Sequence, residues 1–174
     1  MIRLVAAIWL MLVGGACAGE AIIDGETGRL VAGVDAHKPR FPASTTKLMT
    51  IFVALEAAEQ GEVDLEARVH VSKHAASAPP VKLGLKAGED IRLGDAIHAA
   101  LIISSNDAAR VIAEAVSGTE HAFAARMTAK AHALGMHDTD FSNASGLPDT
   151  GHVSTAADIA RLIWLLDKKH GAAL

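Results

Sequence analysis

The sequence predicts an α+β domain in which a short N-terminal β-hairpin joins a mostly helical body. Two short apolar runs, Ala21 to Asp24 and Arg29 to Val34, flank the turn Gly25-Glu26-Thr27-Gly28, the pattern of a hairpin. Further on, Leu48, Met49, Ile51, Phe52, Val53 and Leu55 cover more than one face of a helix, the mark of a buried one. From Gly94 onward, apolar helical segments alternate with Gly and polar capping residues. Two strands alone make a marginal sheet, so the hairpin and the buried helix read as part of a layered α+β domain.

Residues 1–18 read as an export signal. Arg3 is a short positive n-region, Leu4 to Val13 an apolar run, and Ala16-Cys17-Ala18 a small-residue cleavage site. The run is shorter than the ~20 residues a membrane-spanning helix needs. A retained N-terminal anchor and lipidation of Cys17 are the alternatives. Cleavage after Ala18 leaves a domain of residues 19–174 without cysteine, which excludes disulfides, thiol catalysis and Cys-ligated zinc. The expected location is the periplasm or cell envelope.

After the hairpin, Phe41-Pro42-Ala43 is a connector, because Pro42 disfavours a helical residue before it. The central helix is expected from near Ser44, acting as its cap, to about Gln60, where Gly61 stops it. Residues 62–93 read as mixed, with Pro79-Pro80, Gly84 and Gly88 marking loops. Gly94 to Ile103 is helical, and Ser104-Ser105-Asn106-Asp107 caps a helix from about Ala108 to Val116. Another helix spans about Glu120 to Leu134 and is closed by Gly135. Asp138 to Gly151 is a loop, and Thr155-Ala156-Ala157-Asp158 resembles a capping box opening a last helix to about Lys168.

At 174 residues the chain is one domain, and 51% hydrophobic residues suffice for a sizeable core. A net charge of −4 without a basic block, and the absence of Tyr, argue against nucleic-acid binding. Nine histidines raise metal chemistry, yet no His-Glu-x-x-His occurs and His70 and His74 lie in a poorly helical stretch. Asp138, Asp140 and Asp149 share one loop and read as solvated turn residues rather than calcium ligands. Neither a metal nor a cofactor is expected.

The candidate chemistry lies in two short strings. Ser44-Thr45-Thr46-Lys47 puts a hydroxyl and an amine on one helix face, ~4.5 Å apart in rise. A serine becomes a good nucleophile only with a base in hydrogen-bond reach, and Lys47 can aim its amine back at Ser44 Oγ. To act near neutral pH, that amine must lose about 3 units from its usual ~10.4, through burial or a neighbouring cation. Ser104-Ser105-Asn106 follows an apolar helix, so these side chains emerge where two helices meet. Ser104 suits a proton relay, and Asn106, with its two-sided amide, suits holding Lys47 or a substrate amide. A capping serine with an exposed lysine, and a simple helix cap, are the ordinary meanings of the two strings.

The chain resembles the low-molecular-weight penicillin-binding proteins, the serine D-alanyl-D-alanine carboxypeptidases and their D,D-endopeptidase relatives. The resemblance rests on Phe41-Pro42-Ala43-Ser44-Thr45-Thr46-Lys47-Leu48-Met49-Thr50 and Leu101-Ile102-Ile103-Ser104-Ser105-Asn106-Asp107-Ala108-Ala109. Leu134-Gly135-Met136, Phe141 to Asp149 and His152 to Asp158 extend it, so that it covers residues 20–167. It implies a penicillin-binding/β-lactamase-like transpeptidase fold with Ser44 as nucleophile, Lys47 as general base, Ser104 as proton relay and Asn106 as substrate-binding residue. The implied substrates are peptidoglycan stem peptides ending in D-Ala-D-Ala, and β-lactams are implied inhibitors acylating Ser44. Peripheral membrane association is a further expectation.

The family's third motif, Lys-Thr-Gly or a close variant, lies on a strand C-terminal to all of these segments, and the chain has no such tripeptide. In the family that strand supplies a cation for the substrate carboxylate and one wall of the cleft. The resemblance therefore implies a C-terminally incomplete domain whose hairpin lacks its sheet partners. An inactive truncated form or pseudoenzyme is the alternative, with D,D-endopeptidase and β-lactamase as lesser ones. Ser105 in the middle of the second string, where class A β-lactamases carry Asp, argues against the last.

Overall fold

The computed structural model describes residues 19–173. The expected export signal, with its expected cleavage site and Cys17, lies outside the described residues.

The hairpin forms where expected. Strand β1 (Glu20–Ile23) pairs antiparallel with β2 (Leu30–Val34), from Glu20↔Val34 to Ile23↔Leu30. Asp24 closes the turn, its Oδ1 accepting from the backbone N–H of Thr27 at 2.7 Å and the hydroxyl of Thr27 at 2.6 Å. The turn docks on the last helix, α6 (Ala156–His170): Trp164 Nε1 donates to the Gly25 carbonyl at 3.0 Å, and its ring lies under Gly28. A Cβ on Gly28, whose φ is +69°, would come within 2.7 Å of that ring. Ile22, Val31 and Val34 remain 60%, 63% and 62% exposed, so apolar surface of the two-stranded sheet is uncovered in this structure.

The central helix α1 (Thr46–Glu59) is buried nearly all round, including Met49, Ile51, Phe52, Val53 and Ala54. Its predicted cap is corrected. Ser44 sits in a 3₁₀ turn (Ala43–Thr45) ahead of the helix, Thr45 occupies the cap position, and no side chain caps the first turn. Thr45 Oγ1 instead donates to the Pro42 carbonyl at 2.5 Å. The Ser44 hydroxyl is therefore not consumed by the backbone, and Ser44 is exposed.

Residues 62–93, read as mixed, hold two short strands and a short helix between loops. Strands β3 (Arg68–His70) and β4 (Asp90–Arg92) pair antiparallel, and Ser72 caps the short helix α2 (Lys73–Ala76) by accepting from Ala75 N–H at 2.9 Å. Each of these strands has a single apolar residue in three, too few to show an alternating pattern. Helices α3 (Leu93–Ile102), α4 (Asn106–Ser117) and α5 (Glu120–Ala133) follow. All three pack on α1, as does α6, around Phe52, Leu93, Ile112, Phe123, Met127 and Leu162.

Helix α4 begins two residues earlier than predicted. Ser105 is its cap residue without a capping side-chain bond, and the anchoring acceptor is Asp107. The fully buried Asp107 carboxylate accepts from the N–H groups of Leu83 (2.9 Å), Gly84 (2.8 Å), Leu85 (3.0 Å) and Ala108 (2.9 Å), and from the Ser105 hydroxyl. The second string is thus tied to the loop preceding β4. The predicted capping box is half present. Thr155 Oγ1 accepts from Asp158 N–H at 3.1 Å, but Asp158 turns to the Thr139 hydroxyl at 2.7 Å and the Asp138 N–H at 3.2 Å.

Burial pushes the Asp107 carboxyl up. The Ser105 hydroxyl and the N–H groups of Leu83, Leu85 and Gly84 outweigh this and hold it below the usual range. Its stabilising contribution is therefore complete above the unfolded value near 3.9 and is lost as pH falls through the lowered folded value. Asp107→Ala is expected to cost about 3 kcal/mol by stranding several N–H groups. Urea unfolding checks the loss, and amide exchange at Leu83, Gly84 and Leu85 locates it.

Candidate active site

The first string folds into a turn pressed against a glycine. Ala43 has φ +49°, unusual for a residue with a Cβ. The loop Asn143–Leu147 lies directly on it: a Cβ on Gly146, itself at φ +83°, would stand 1.8 Å from the Ala43 carbonyl oxygen. Only glycine permits this approach. The loop is organised by Asn143, whose Oδ1 accepts from the N–H groups of Ser145 (3.1 Å), Gly146 (2.8 Å) and Leu147 (3.2 Å), while its Nδ2 donates to the Leu147 carbonyl at 2.9 Å. Thr50 Oγ1, on α1, donates to the Ala144 carbonyl at 2.7 Å.

This loop receives Lys47. The side chain lies in the core, 2% exposed, and its amine reaches two acceptors: the Ser145 carbonyl at 2.7 Å and Ser44 Oγ at 3.4 Å. Burial pulls the Lys47 amine down from 10.5 to about 8. That is most of the drop that base chemistry near neutral pH requires, and among the described residues it is reached without a neighbouring cation. At pH 7 roughly one amine in ten is then unprotonated. The structure thus brings Ser44 and Lys47 together as the helix spacing predicted, one exposed and one buried.

Ser104 and Asn106 stand differently. Ser104 is half-buried with φ +57°, and among the described residues its hydroxyl makes no hydrogen bond, neither to Lys47 nor to Ser44. Asn106 does not hold Lys47. Its Nδ2 donates to the Pro79 carbonyl at 3.0 Å and its N–H to the Val81 carbonyl at 2.8 Å. The amine is drawn instead to the Ser145 carbonyl on the opposite loop. His70 pairs with Asp90 at 3.4 Å and His74 with Glu120 at 2.6 Å, so both are tied to carboxylates, and among the described residues no cluster of three or more His, Cys, Asp or Glu could hold a metal.

His152 had no assigned role in the sequence. It is buried, and its Nδ1 accepts from Ser142 N–H at 3.0 Å, which places the ring proton on Nε2, facing Thr46 Oγ1 at 2.8 Å. Burial lowers its pKa, consistent with that neutral form. A histidine in a loop, far in sequence from Thr46, gives no spacing signal for such a contact. Gly146 and Asn143 lay within a segment of the resemblance but carried no role. Beside the site, an open trough of about 460 Å³ runs between Phe41, Pro42 and Thr45 on one side and Ala156, Ile159 and Ile163 of α6 on the other.

Solved structures share this architecture. A D-alanyl-D-alanine carboxypeptidase DacD from Francisella tularensis superposes with a TM-score of 0.87 at 30% identity, over 92% of this chain and 39% of that one. Penicillin-binding protein D2 from Listeria monocytogenes, in its cefotaxime-bound form, gives 0.77 at 31% identity, over 88% and 62%. The fold is that of the penicillin-binding proteins. Residues 16–173 match the D-alanyl-D-alanine carboxypeptidase family, and the chain belongs to that family. Among curated relatives, DacF of Bacillus subtilis is 35% identical over 139 residues, 80% of this chain and 36% of DacF. DacC of Escherichia coli is 33% identical over 147 residues, 81% and 37%. The chain thus spans somewhat more than a third of the length of these two relatives.

A lysine whose folded value lies near 8 and whose unfolded value lies near 10.5 costs stability in full below pH 8, and the cost is relieved as pH rises between the two. Lys47→Met is therefore expected to be more stable than the wild type by about 3 kcal/mol at pH 7, with the advantage shrinking between pH 8 and 10.5. Urea unfolding of both proteins across that range measures the difference.

Proposed function

We propose that this chain carries the acylating part of a serine D-Ala-D-Ala carboxypeptidase acting on peptidoglycan stem peptides. The observation that carries the proposal is the buried Lys47 amine, pulled down to about 8 and 3.4 Å from the exposed Ser44 hydroxyl. Unprotonated, that amine takes the Ser44 proton as Oγ forms a bond to the carbonyl carbon of the terminal D-Ala-D-Ala link. The proton passes to the leaving nitrogen as the C–N bond breaks and D-Ala departs. Water then cleaves the Ser44 ester, releasing the shortened peptide. Ser104 serves as proton relay and Asn106 holds a substrate amide. Ser44 is likewise the expected point of β-lactam acylation, supported by the cefotaxime-bound relative. Export to the periplasm or cell envelope, with peripheral membrane association, fits a peptidoglycan substrate.

A second reading, an inactive form that binds peptidoglycan weakly or not at all, rests on one observation: no Lys-Thr-Gly tripeptide occurs in these 174 residues. D,D-endopeptidase activity uses the same acylation step and differs only in substrate.

Incubating the chain with a labelled penicillin separates the two. An adduct is expected by intact mass, absent in Ser44→Ala, with a rate that rises about tenfold per pH unit below 8 and levels off above it. A folded chain that forms no adduct at any pH overturns the proposal in favour of the inactive form.

A further inference from the structure

We propose that Glu120 is a positioning residue for Lys47: it clamps the loop whose carbonyl holds the lysine amine. Glu120 is the first residue of α5, following Thr119, whose hydroxyl caps the helix by accepting from Ala122 N–H at 3.1 Å. An acidic residue there ordinarily serves the helix dipole and points to water. Glu120 does otherwise. Its side chain is only 11% exposed, and Oε1 leaves its own helix to accept from Ala144 N–H at 3.1 Å. Oε2 meets His74 Nε2 at 2.6 Å and stands 3.2 Å from Arg110 Nε, an ion-pair distance without an aligned hydrogen bond. One carboxylate therefore joins the loop, the short helix α2 and helix α4, whose first turn carries Asn106.

The consequence reaches Lys47 through one residue of backbone. Ala144 is held at both ends of its peptide units, its N–H by Glu120 and its carbonyl by Thr50 Oγ1 at 2.7 Å. That double restraint orients the following carbonyl, of Ser145, which accepts from Lys47 Nζ at 2.7 Å. Without the Glu120 acceptor, the Ala144 N–H is left unpaired in a half-buried loop and must seek water. The loop then opens, and the amine beneath it gains solvent. Glu120 is paired with His74 and Arg110, and a largely buried ion pair of this kind adds little net stability, so its contribution lies in the alignment it imposes.

The inference rests on the proposed acyl transfer only for its consequence, since the contact itself is tested on the amine. The measurement is the pH titration of the Lys47 Cε resonance by carbon-13 NMR in the wild type, Glu120→Gln, Glu120→Asp and Glu120→Ala. Gln keeps an acceptor for Ala144 N–H, and its Lys47 midpoint is expected to match the wild type. Asp keeps the charge near Arg110 but falls short of Ala144, and Ala removes both. In these two the midpoint is expected to rise, lowering the neutral fraction at pH 7 by about threefold or more. Penicillin acylation at pH 7 is expected to fall by the same factor. A folded Glu120→Asp chain with an unmoved Lys47 midpoint overturns the inference, even if Glu120→Ala fails to fold. So does a Glu120→Gln midpoint that rises as far as that of Glu120→Asp, because charge rather than the Ala144 acceptor would then be responsible. If no variant, nor the wild type, is acylated, the functional proposal fails while the titrations still decide the role of Glu120.

Discussion

The site depends on keeping one amine dry. Lys47 extends from the first turn of a helix buried on nearly every side, and burial alone holds its amine near pH 8. An ammonium placed there would have a single close protein acceptor, the Ser145 carbonyl, with Ser44 Oγ farther off. Two acceptors for three N–H bonds leave the charged form under-satisfied, and the neutral form, with a lone pair to offer Ser44, fits the same geometry without that deficit. The cost is a core that would be more stable with a methionine in place of the lysine.

Much of the surrounding structure serves that arrangement. The core under α1 excludes water from below, and the Asn143–Leu147 loop covers the amine from above. Gly146 lets the loop rest on the Ala43 carbonyl, Asn143 gathers three of its N–H groups, and Thr50 and Glu120 hold Ala144 from opposite sides. On the far side, Asp107 fixes the start of α4 against the loop at Leu83–Leu85, and with it the position of Asn106. Two carboxylates, the buried Asp107 and the half-buried Glu120, thus fasten loops to the helices they start.

The hairpin, the buried helix, the later helices and the meeting of Ser44 with Lys47 were legible in the sequence, because each is a local matter of period or spacing. Glycine stops at Gly61 and Gly135 were legible for the same reason. Strands β3 and β4 were not, since Arg68-Val69-His70 and Asp90-Ile91-Arg92 each offer one apolar residue. Nor was the choice among polar residues at helix starts. Ser44, Ser105 and Asp158 all looked like capping groups, yet no side chain caps the first turn of α1, Asp107 rather than Ser105 accepts from the Ala108 N–H, and Asp158 turns to the Thr139 hydroxyl. His152 and Glu120 act across more than 20 residues of sequence, on Thr46 and Ala144, where no spacing rule applies. Ser104 and Asn106 were legible as a motif, but the expectation that Asn106 holds Lys47 gave way to its bond with Pro79.

The protonation of the Lys47 nitrogen decides whether this site can act as a base, and neutron diffraction from deuterated crystals at pH 9 observes it directly. The expected result is two deuterons on Lys47 Nζ, one directed at the Ser145 carbonyl, with the lone pair facing a deuterated Ser44 Oγ. Three deuterons on Nζ at that pH, or an amine turned away from Ser44, would contradict it.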